Sequence, residues 1–452
     1  MNVMRGGGDT ADITSRLGPP DQTWQTDHVG KRLVRLSALG AGLTLNALRP
    51  FPSGNPLAIP SFFAGWLTTE LAPQNLMVTA AGSKALLLAK RRRLSRDDKI
   101  ALGLNAVSAA GLITLIAQGL KVRKVVEDAL AEALGSDYLA RLDPAPDKAD
   151  LTTPWRQVLT PWRTRHPDVK RTRGIAYAGG EAAGKRQRLD VYQPREAGSG
   201  RPVLLQIHGG GWVIGNKEEQ GLPLMTHLSA RGWVCVAPNY PLSPKATWPE
   251  HLVAIKQSLA WIRRNIADYG GDPSYVVVTG GSAGGHLAAM VALTANDPQY
   301  QPGFEDVDTS VRACVPFYGV YDLANLLDTK AGEREYRHFL APTLFKTSDR
   351  DLARAASPLT LVREDAPPFF VIHGRSDSLV NVAEARELVR RLRESSHSVV
   401  AYAELPGAQH AFDVFASIRS AHVIRAVERF LRAVHRSEAA DRAGHNARAA
   451  PK

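Results

Sequence analysis

Residues 276–285 read VVVTGGSAGG, an apolar β-branched run followed by a glycine-rich turn that carries one serine. The run predicts a buried strand, and the residues from Ala283 to Ala295 predict a helix after the turn. Gly280-x-Ser282-x-Gly284 is the spacing of a nucleophile elbow, a sharp strand-to-helix turn that exposes a serine hydroxyl. Because the chain contains 38 glycines, so short a pattern needs support from its surroundings.

A second glycine-rich turn lies upstream. Residues 203–207 read VLLQI, an apolar strand, and residues 208–212 read HGGGW. Consecutive glycines let a backbone turn its N–H groups toward an anion, as an oxyanion hole requires. We expect Gly210, Gly211 and Ala283 to supply those N–H groups; the alternative is a flexible glycine loop without a role.

Each of two further apolar strands is followed, a few residues later, by a residue of catalytic type. Residues 369–377 read FFVIHGRSD, and residues 399–412 read VVAYAELPGAQHAF. An aspartate, Asp377, and a histidine, His410, therefore follow the serine, in the chain order serine, aspartate, histidine.

The chemistry accounts for these residue types. A serine hydroxyl is a weak nucleophile until a base takes its proton. We predict Ser282 as the nucleophile, His410 as the base and later the acid, and Asp377 as the group that orients the imidazole. Asp413 and Glu404 are alternative acids, whereas His208, His286 and His373 are expected to be structural.

The chain resembles the hormone-sensitive-lipase-like branch of the α/β-hydrolase esterases. The resemblance covers about residues 170–435 and is carried by HGGGW at 208–212 and GGSAGG at 280–285, with Ser282 74 residues after His208. Residues 239–244 read NYPLSP where that branch usually has Tyr-Arg-Leu-(Ala/Ser)-Pro, so Pro241 replaces the arginine. We interpret this as lost local support for the loop rather than lost catalysis. The whole chain, including PSFFAGWL at 60–67, is similar to actinobacterial membrane-associated lipases and carboxylesterases.

Composition indicates a globular protein of more than one domain. The chain has 452 residues, of which 44% are hydrophobic and 22% charged. Cys235 and Cys314 lie in apolar strand-like runs, so we expect buried thiols rather than a disulfide or a metal site. Neither a metal cluster nor a dinucleotide motif is evident in the sequence, and no cofactor is expected.

The net charge of +12 is concentrated near the N-terminus, where residues 1–125 hold 16 Lys/Arg against 7 Asp/Glu. Residues 90–96 read KRRRLSR, but no nucleic-acid-binding motif surrounds them, and we expect no nucleic-acid partner. Residues 100–120 carry no charge and are long enough to cross a bilayer; the alternative is a buried helix of a soluble domain. Residues 36–48 and 71–89 could add to this region, and residues 123–142, which mix apolar and charged side chains, predict an amphipathic helix. More basic residues precede 100–120 than follow it, which favours a catalytic domain outside the cytoplasmic membrane.

The predicted fold is an α/β-hydrolase domain, a mostly parallel sheet with helices on both faces, preceded by a helical, membrane-associated region. The predicted parts are a tail (1–30), the helical region (31–142), a linker (143–170), the catalytic domain (171–435) with a lid-like insertion (322–363), and a disordered tail (436–452).

The function predicted from these motifs is hydrolysis of carboxylic esters with short or medium acyl chains, through an acyl-enzyme. An amidase or peptidase of the same fold is the first alternative, and an inactive membrane-anchored scaffold is the second. Partners would be a small or lipid ester and a membrane; the oligomeric state is not indicated. Because all the proposed catalytic groups lie between 208 and 410, a fragment that starts near residue 165 is expected to be soluble and active on short esters.

Overall fold

A computed structural model describes residues 22–90, 93–182 and 184–449. Its centre is one sheet of eight strands in the order β1-β2-β4-β3-β5-β6-β7-β8. Strand β2 is antiparallel to both β1 and β4, and all the other pairs are parallel. The strands are β1 Val169–Ala176, β2 Arg188–Pro194, β3 Arg201–Ile207, β4 Val234–Pro238, β5 Gly271–Gly281, β6 Cys314–Phe317, β7 Phe369–Gly374 and β8 Val400–Leu405.

Helices connect the parallel strands and cover both faces of the sheet. The α-helices are α1 Gln22–Leu48, α2 Ala58–Glu70, α3 Ala72–Ala89, α4 Arg96–Leu134, α5 Tyr138–Arg141, α6 Trp155–Val158, α7 Leu222–Ser229, α8 Glu250–Asn265, α9 Ala283–Leu293, α10 Lys330–Glu335, α11 Arg350–Ala355, α12 Val382–Ser395 and α13 Ile418–Ala449. A π-helix spans Tyr336–Phe345, and short 3₁₀ turns span Gly180–Ala182, Lys185–Gln187, Ile266–Tyr269, Pro298–Tyr300 and Pro358–Thr360.

Strand β5 shows how the sequence builds two cores. Val276 and Val278 pack in the cluster that contains α8, α9 and α12, while Val277 packs in the cluster that contains α7 and α13. Successive side chains of a strand point to opposite faces, so a continuous apolar run indicates burial on both sides. The predicted fold class, a mostly parallel sheet between helical layers, is confirmed. Cys235 and Cys314 are free and buried, as the sequence predicts.

Helix α4 joins the N-terminal helices to the catalytic domain. The sequence predicts separate helices over 100–120 and 123–142, but α4 is continuous from a capping box of Ser95 and Asp98 to Gly135, whose φ is +94°. Neither glycine nor proline interrupts residues 120–134. Helix α1 packs along the first half of α4 and begins at Gln22, within the stretch expected to be a tail.

The second half of α4 belongs to a core of the catalytic sheet. Val122, Val126 and Leu130 are buried in the same cluster as Phe370 and Phe430. A fragment that starts near residue 165 would lose these side chains and uncover apolar surface on one face of the sheet. The structure therefore argues against the expected soluble fragment, and the domain boundary at 142/143 stays a prediction.

The first half of α4 and its neighbours carry most of the exposed apolar surface. Among the described residues, 17 of the 21 large apolar side chains that are exposed lie between Val29 and Leu120. Helix α4 is long and apolar enough to cross a membrane, and 28% of its most apolar 18-residue window is buried in the protein. A core helix of a soluble protein would be mostly buried, so this surface favours an apolar partner outside the chain.

The C-terminal stretch differs from the sequence expectation. Helix α13 continues to Ala449, through the described part of the tail that was expected to be disordered. Alanine and arginine dominate this stretch, and both favour helix.

Candidate active site

Ser282 lies on the predicted sharp turn between β5 and α9. Its backbone is at φ 58° and ψ −123°, a conformation that is strained for a residue with a Cβ. The Ser282 N–H donates to the Phe317 carbonyl of β6 at 3.0 Å. A Cβ at position 284 would collide with the carbonyl oxygens of Ile207 and His208, so Gly284 lets α9 start directly against the end of β3. Ser282 is half-buried, while its neighbours Gly281 and Ala283 are buried.

The glycine loop after β3 lies next to this turn. Gly210 has φ +113° and accepts hydrogen bonds from the N–H groups of Val213 and Ile214 at 3.1 and 3.0 Å. The Gly209 N–H donates to Gln220 Oε1 at 2.7 Å. Within the described residues, neither the Gly210 nor the Gly211 N–H group donates a backbone hydrogen bond in this loop. The predicted oxyanion hole would use these two N–H groups.

His208 supports this loop from within. Its Nδ1 bonds the Gly209 carbonyl at 2.8 Å, and its ring stacks on Tyr240 at 4.3 Å. The Tyr240 hydroxyl donates to the His208 carbonyl at 2.9 Å. Burial lowers the pKa of His208 to about 4, so the ring is neutral near pH 7. These contacts favour the structural role expected for His208. Through Tyr240 they also join the glycine loop to the 239–244 segment, in which Pro241 replaces the usual arginine.

Asp377 and His410 meet at the carboxyl ends of β7 and β8. His410 Nδ1 lies 2.7 Å from Asp377 Oδ2, which accepts a hydrogen bond from the Nδ1–H group. Asp377 Oδ1 accepts the N–H groups of Leu379 and Val380 at 2.8 and 2.9 Å. Burial would raise the pKa of Asp377, but the charge of His410 and hydrogen bonds from His410 and His373 hold it well below its usual value. The carboxylate is therefore ionised and fixed.

The other histidines near these loops have protein partners. His373 Nε2 lies 3.3 Å from Asp377 Oδ2 and 3.2 Å from the Val380 carbonyl. His373 thus contacts the predicted acid, a role that the sequence alone did not indicate. His286 donates to the Ala356 carbonyl at 2.8 Å, and burial lowers its pKa to about 3.

The two alternative acids have other partners. The Tyr318 hydroxyl donates to Asp413 Oδ1, and Glu404 pairs with Arg375 and Arg386 at 2.8 Å each. Burial and the hydrogen bond from Tyr318 act in opposite directions on Asp413, whose pKa is raised. Asp377 is the acid whose carboxylate meets the Nδ1 atom of His410.

Two residues near the site were missed in the sequence. Gln409 Nε2 donates to Ser378 Oγ at 2.7 Å, and Gln409 Oε1 accepts the N–H groups of Ser378 and His410 at 2.7 and 2.9 Å. It therefore ties the acid loop to the base loop. The centroids of the Tyr318 and His410 rings are 4.5 Å apart. A Cβ at Gly281 would collide with the Tyr318 side chain, so this side chain contacts both the Ser282 turn and the histidine.

The insertion after β6 reaches the glycine loop. A Cβ on Gly211 would lie 3.4 Å from the Phe339 ring. Tyr336, Leu340 and Leu344 of the same π-helix are buried in the core. The insertion is thus packed onto the domain and presents Phe339 at the predicted oxyanion hole.

Comparisons with known proteins agree with this architecture. A family model described as BD-FAE matches residues 189–392. Probable carboxylic ester hydrolase LipM of Mycobacterium tuberculosis is 39% identical over 439 residues, covering 93% of this chain and 97% of that protein. Esterase LipC of the same organism is 40% identical over 317 residues, covering 69% of this chain and 75% of that protein.

Solved structures support the fold. Esterase B from Lactobacillus rhamnosis matches with a TM-score of 0.52 at 24% identity, covering 71% of this chain and 99% of that one.

The match to LipM covers so much of both chains that it includes most of the N-terminal helical region. The chain belongs to the carboxylic ester hydrolases, in the hormone-sensitive-lipase-like branch of the α/β-hydrolase family, as its motifs predict.

Proposed function

We propose that this enzyme cleaves its ester through a Ser282–His410–Asp377 triad and an oxyanion hole formed by the N–H groups of Gly210, Gly211 and Ala283. The observation that carries the proposal is the fixed Asp377–His410 pair at the same sheet edge as the strained Ser282 turn. In this geometry Asp377 holds the His410 proton on Nδ1, which leaves Nε2 free to act as a base.

The reaction then proceeds in two halves. His410 Nε2 takes the Ser282 hydroxyl proton as the oxygen attacks the ester carbonyl carbon, and the carbonyl oxygen becomes an oxyanion that accepts the three backbone N–H groups. The intermediate expels the alcohol, which receives the proton from His410. Water, deprotonated by His410, attacks the acyl-enzyme, and the carboxylic acid leaves as the Ser282 hydroxyl is restored.

The substrate class follows from what surrounds the glycine loop. Phe339 lies against Gly211 and Ile214 is 67% exposed on the same loop, so apolar groups border the predicted oxyanion hole. The insertion over 322–363 is the proposed wall of the acyl pocket, and we propose that this pocket takes acyl chains of short or medium length.

An ester and amide comparison tests this activity. On the purified full-length protein, p-nitrophenyl butyrate should be hydrolysed with a much higher kcat/KM than the matched p-nitroanilide, because the anilide carbonyl is less electrophilic and p-nitroaniline is a poorer leaving group than p-nitrophenolate. A profile from acetate to palmitate esters should then peak at short or medium chains. A preference for the anilide would instead support the amidase or peptidase alternative, and inactivity on every ester would support the scaffold.

We further propose that the N-terminal helices embed in the cytoplasmic membrane, with the catalytic domain on the outer side. Helix α4 and the exposed apolar side chains between Val29 and Leu120 support this placement. The basic residues Lys90 and Arg93 lie between α3 and α4, and Arg96 is the first residue of α4. Such residues tend to remain in the cytoplasm, which would place α2 and the catalytic domain at the opposite membrane surface.

Extraction of the native membranes tests the embedding. The full-length protein should stay with membranes in about 1 M salt and in alkaline carbonate, and detergent should release it. The reason is that salt does not weaken the burial of apolar side chains in lipid, whereas it screens attraction between surface charges. Release by salt alone would indicate peripheral binding through residues 90–96. A protein soluble without detergent would indicate that the helices form a soluble bundle.

A further inference from the structure

Helix α2 lies directly against the loop that carries His410. The Trp66 indole N–H donates to the Ala411 carbonyl at 2.8 Å, across 345 residues of sequence. The same indole stacks on Phe415 with ring centroids 5.1 Å apart. Phe62, one turn earlier, meets the His410 ring edge-on at 5.9 Å. Both aromatic side chains thus contact the segment that begins at His410.

The residue held by Trp66 has an unfavourable backbone conformation. Ala411 has φ +57°, in the left-handed region that residues with a Cβ rarely adopt. Such a conformation persists only where surrounding contacts impose it. The carbonyl of Ala411 is bonded by Trp66, and its neighbour His410 is packed between the rings of Phe62 and Tyr318.

Buried contacts fix α2 in this position. Glu70, at the end of α2, pairs with Arg419 at 3.5 Å, and both side chains are almost fully buried. Arg419 also donates to the Leu115 carbonyl of α4 at 3.3 Å. A Cβ at Gly407 would collide with the Gln118 side chain, so α4 fits closely against the start of the same loop. The segment from 407 to 419, which includes the start of α13, is therefore held on one side by the N-terminal helices.

We infer that Trp66 is a positioning residue for the catalytic reaction, which holds the His410 loop in its working conformation from the N-terminal helical region. The inference rests on the proposed role of His410 as the base. An adjacent face of α2 presents Ile59, Phe63 and Leu67 to the outside, at 61%, 58% and 43% exposure. The helix that holds the base is thus the same helix that the proposed membrane placement puts at the lipid surface.

Trp66→Phe in the full-length, detergent-solubilised enzyme tests this role. Phenylalanine keeps an aromatic ring between Phe62 and Phe415 but cannot donate to Ala411. We expect kcat for p-nitrophenyl butyrate to fall about 10- to 100-fold, as expected for a slightly misplaced catalytic group, with KM unchanged. The rate of fluorophosphonate labelling should fall by a similar factor. Trp261→Phe is the control, since Trp261 is also half-buried and packs on Tyr269 away from the His410 loop, and its kcat should stay within about twofold.

A double variant separates positioning from general stability. If Trp66 acts through His410, adding Trp66→Phe to His410→Ala should cost no further activity, because residues that act as a unit are not additive. If Trp66→Phe lowers only the folded fraction, it should cost the same factor in both backgrounds, and that result would overturn the inference, as would an unchanged kcat. Full activity of His410→Ala alone would instead refute the proposed triad, so failure of the two proposals can be told apart.

Discussion

Ser282→Ala should lower kcat for ester hydrolysis by on the order of 10⁶-fold, which is the loss seen when the nucleophile of a serine triad is removed. Alanine lacks the oxygen that forms the acyl-enzyme, so labelling by a fluorophosphonate probe should vanish as well. The fold should be retained, because the bonds that shape the turn come from backbone groups, such as the Ser282 N–H to the Phe317 carbonyl. Stopped assays on p-nitrophenyl butyrate, probe labelling and thermal unfolding measure the three quantities.

Ser274→Ala is a matched control for this substitution. Ser274 lies on the same strand β5 but at its amino end, and it is exposed. Its replacement should leave activity and labelling unchanged. Adding His410→Ala to Ser282→Ala should cost little more, because triad members act as a unit. Turnover near the wild-type level by Ser282→Ala would contradict the mechanism, even with Ser274→Ala fully active.

The parts of the site that could be predicted from sequence are those encoded locally. The strand, the glycines and Ser282 are consecutive, so the conformation of the turn follows from a few neighbouring residues. Asp377 and His410 could be placed because each lies within five residues of the end of an apolar strand, and the carboxyl ends of parallel strands meet at one edge. Whether Asp377, Asp413 or Glu404 meets the histidine could not be decided without the loop conformations.

The parts that escaped prediction depend on contacts between distant segments. Trp66 and Ala411 are brought together only by the packing of α2 on the folded domain. Gln409 has no motif of its own, and its importance appears only when its amide is seen to join the acid and base loops. The uncharged segment of α4 and the amphipathic segment after it differ in charge pattern, so the sequence alone predicts two helices. In the structure the two segments form one continuous helix, which connects the N-terminal region to the catalytic core.

These contacts change how the N-terminal region is regarded. The sequence alone indicates that the N-terminal region is a detachable anchor, because every predicted catalytic group lies after residue 207. In the structure, α4 completes a core of the sheet and α2 contacts the His410 loop. The match to LipM over 93% of this chain is consistent with a region that accompanies the catalytic domain in related enzymes.

Asp377→Asn should lower kcat by up to about 10⁴-fold while leaving the fold intact. Asparagine keeps an Oδ1 atom for the N–H groups of Leu379 and Val380, so the acid loop should hold its shape. The other position becomes an NH₂ group, which is a donor and faces His410 Nδ1. The imidazole must then accept at Nδ1 and carry its proton on Nε2, where it can no longer act as the base for Ser282.

The pH dependence of stability provides an independent measure of the same contact. The pKa of Asp377 is lowered in the folded enzyme, so the ionised carboxylate stabilises the fold above the unfolded pKa of about 3.9. That contribution is lost as the pH falls through the lower folded value. The thermal midpoint of the wild type should therefore exceed that of Asp377→Asn at neutral pH, and the difference should shrink as the pH drops below about 4.

Asp413→Asn is the matched control for the acid. Asp413 is buried beside the same histidine but accepts the Tyr318 hydroxyl, a bond that an asparagine Oδ1 can also accept. We therefore expect Asp413→Asn to keep kcat within about tenfold of the wild type, as for a change that preserves the hydrogen bond from Tyr318. Asp377→Asn with full activity, together with an inactive Asp413→Asn, would reverse the assignment and make Asp413 the residue that orients His410. Since Asp377 is the carboxylate that contacts Nδ1 and is itself fixed by two backbone N–H groups, the larger loss should come from Asp377.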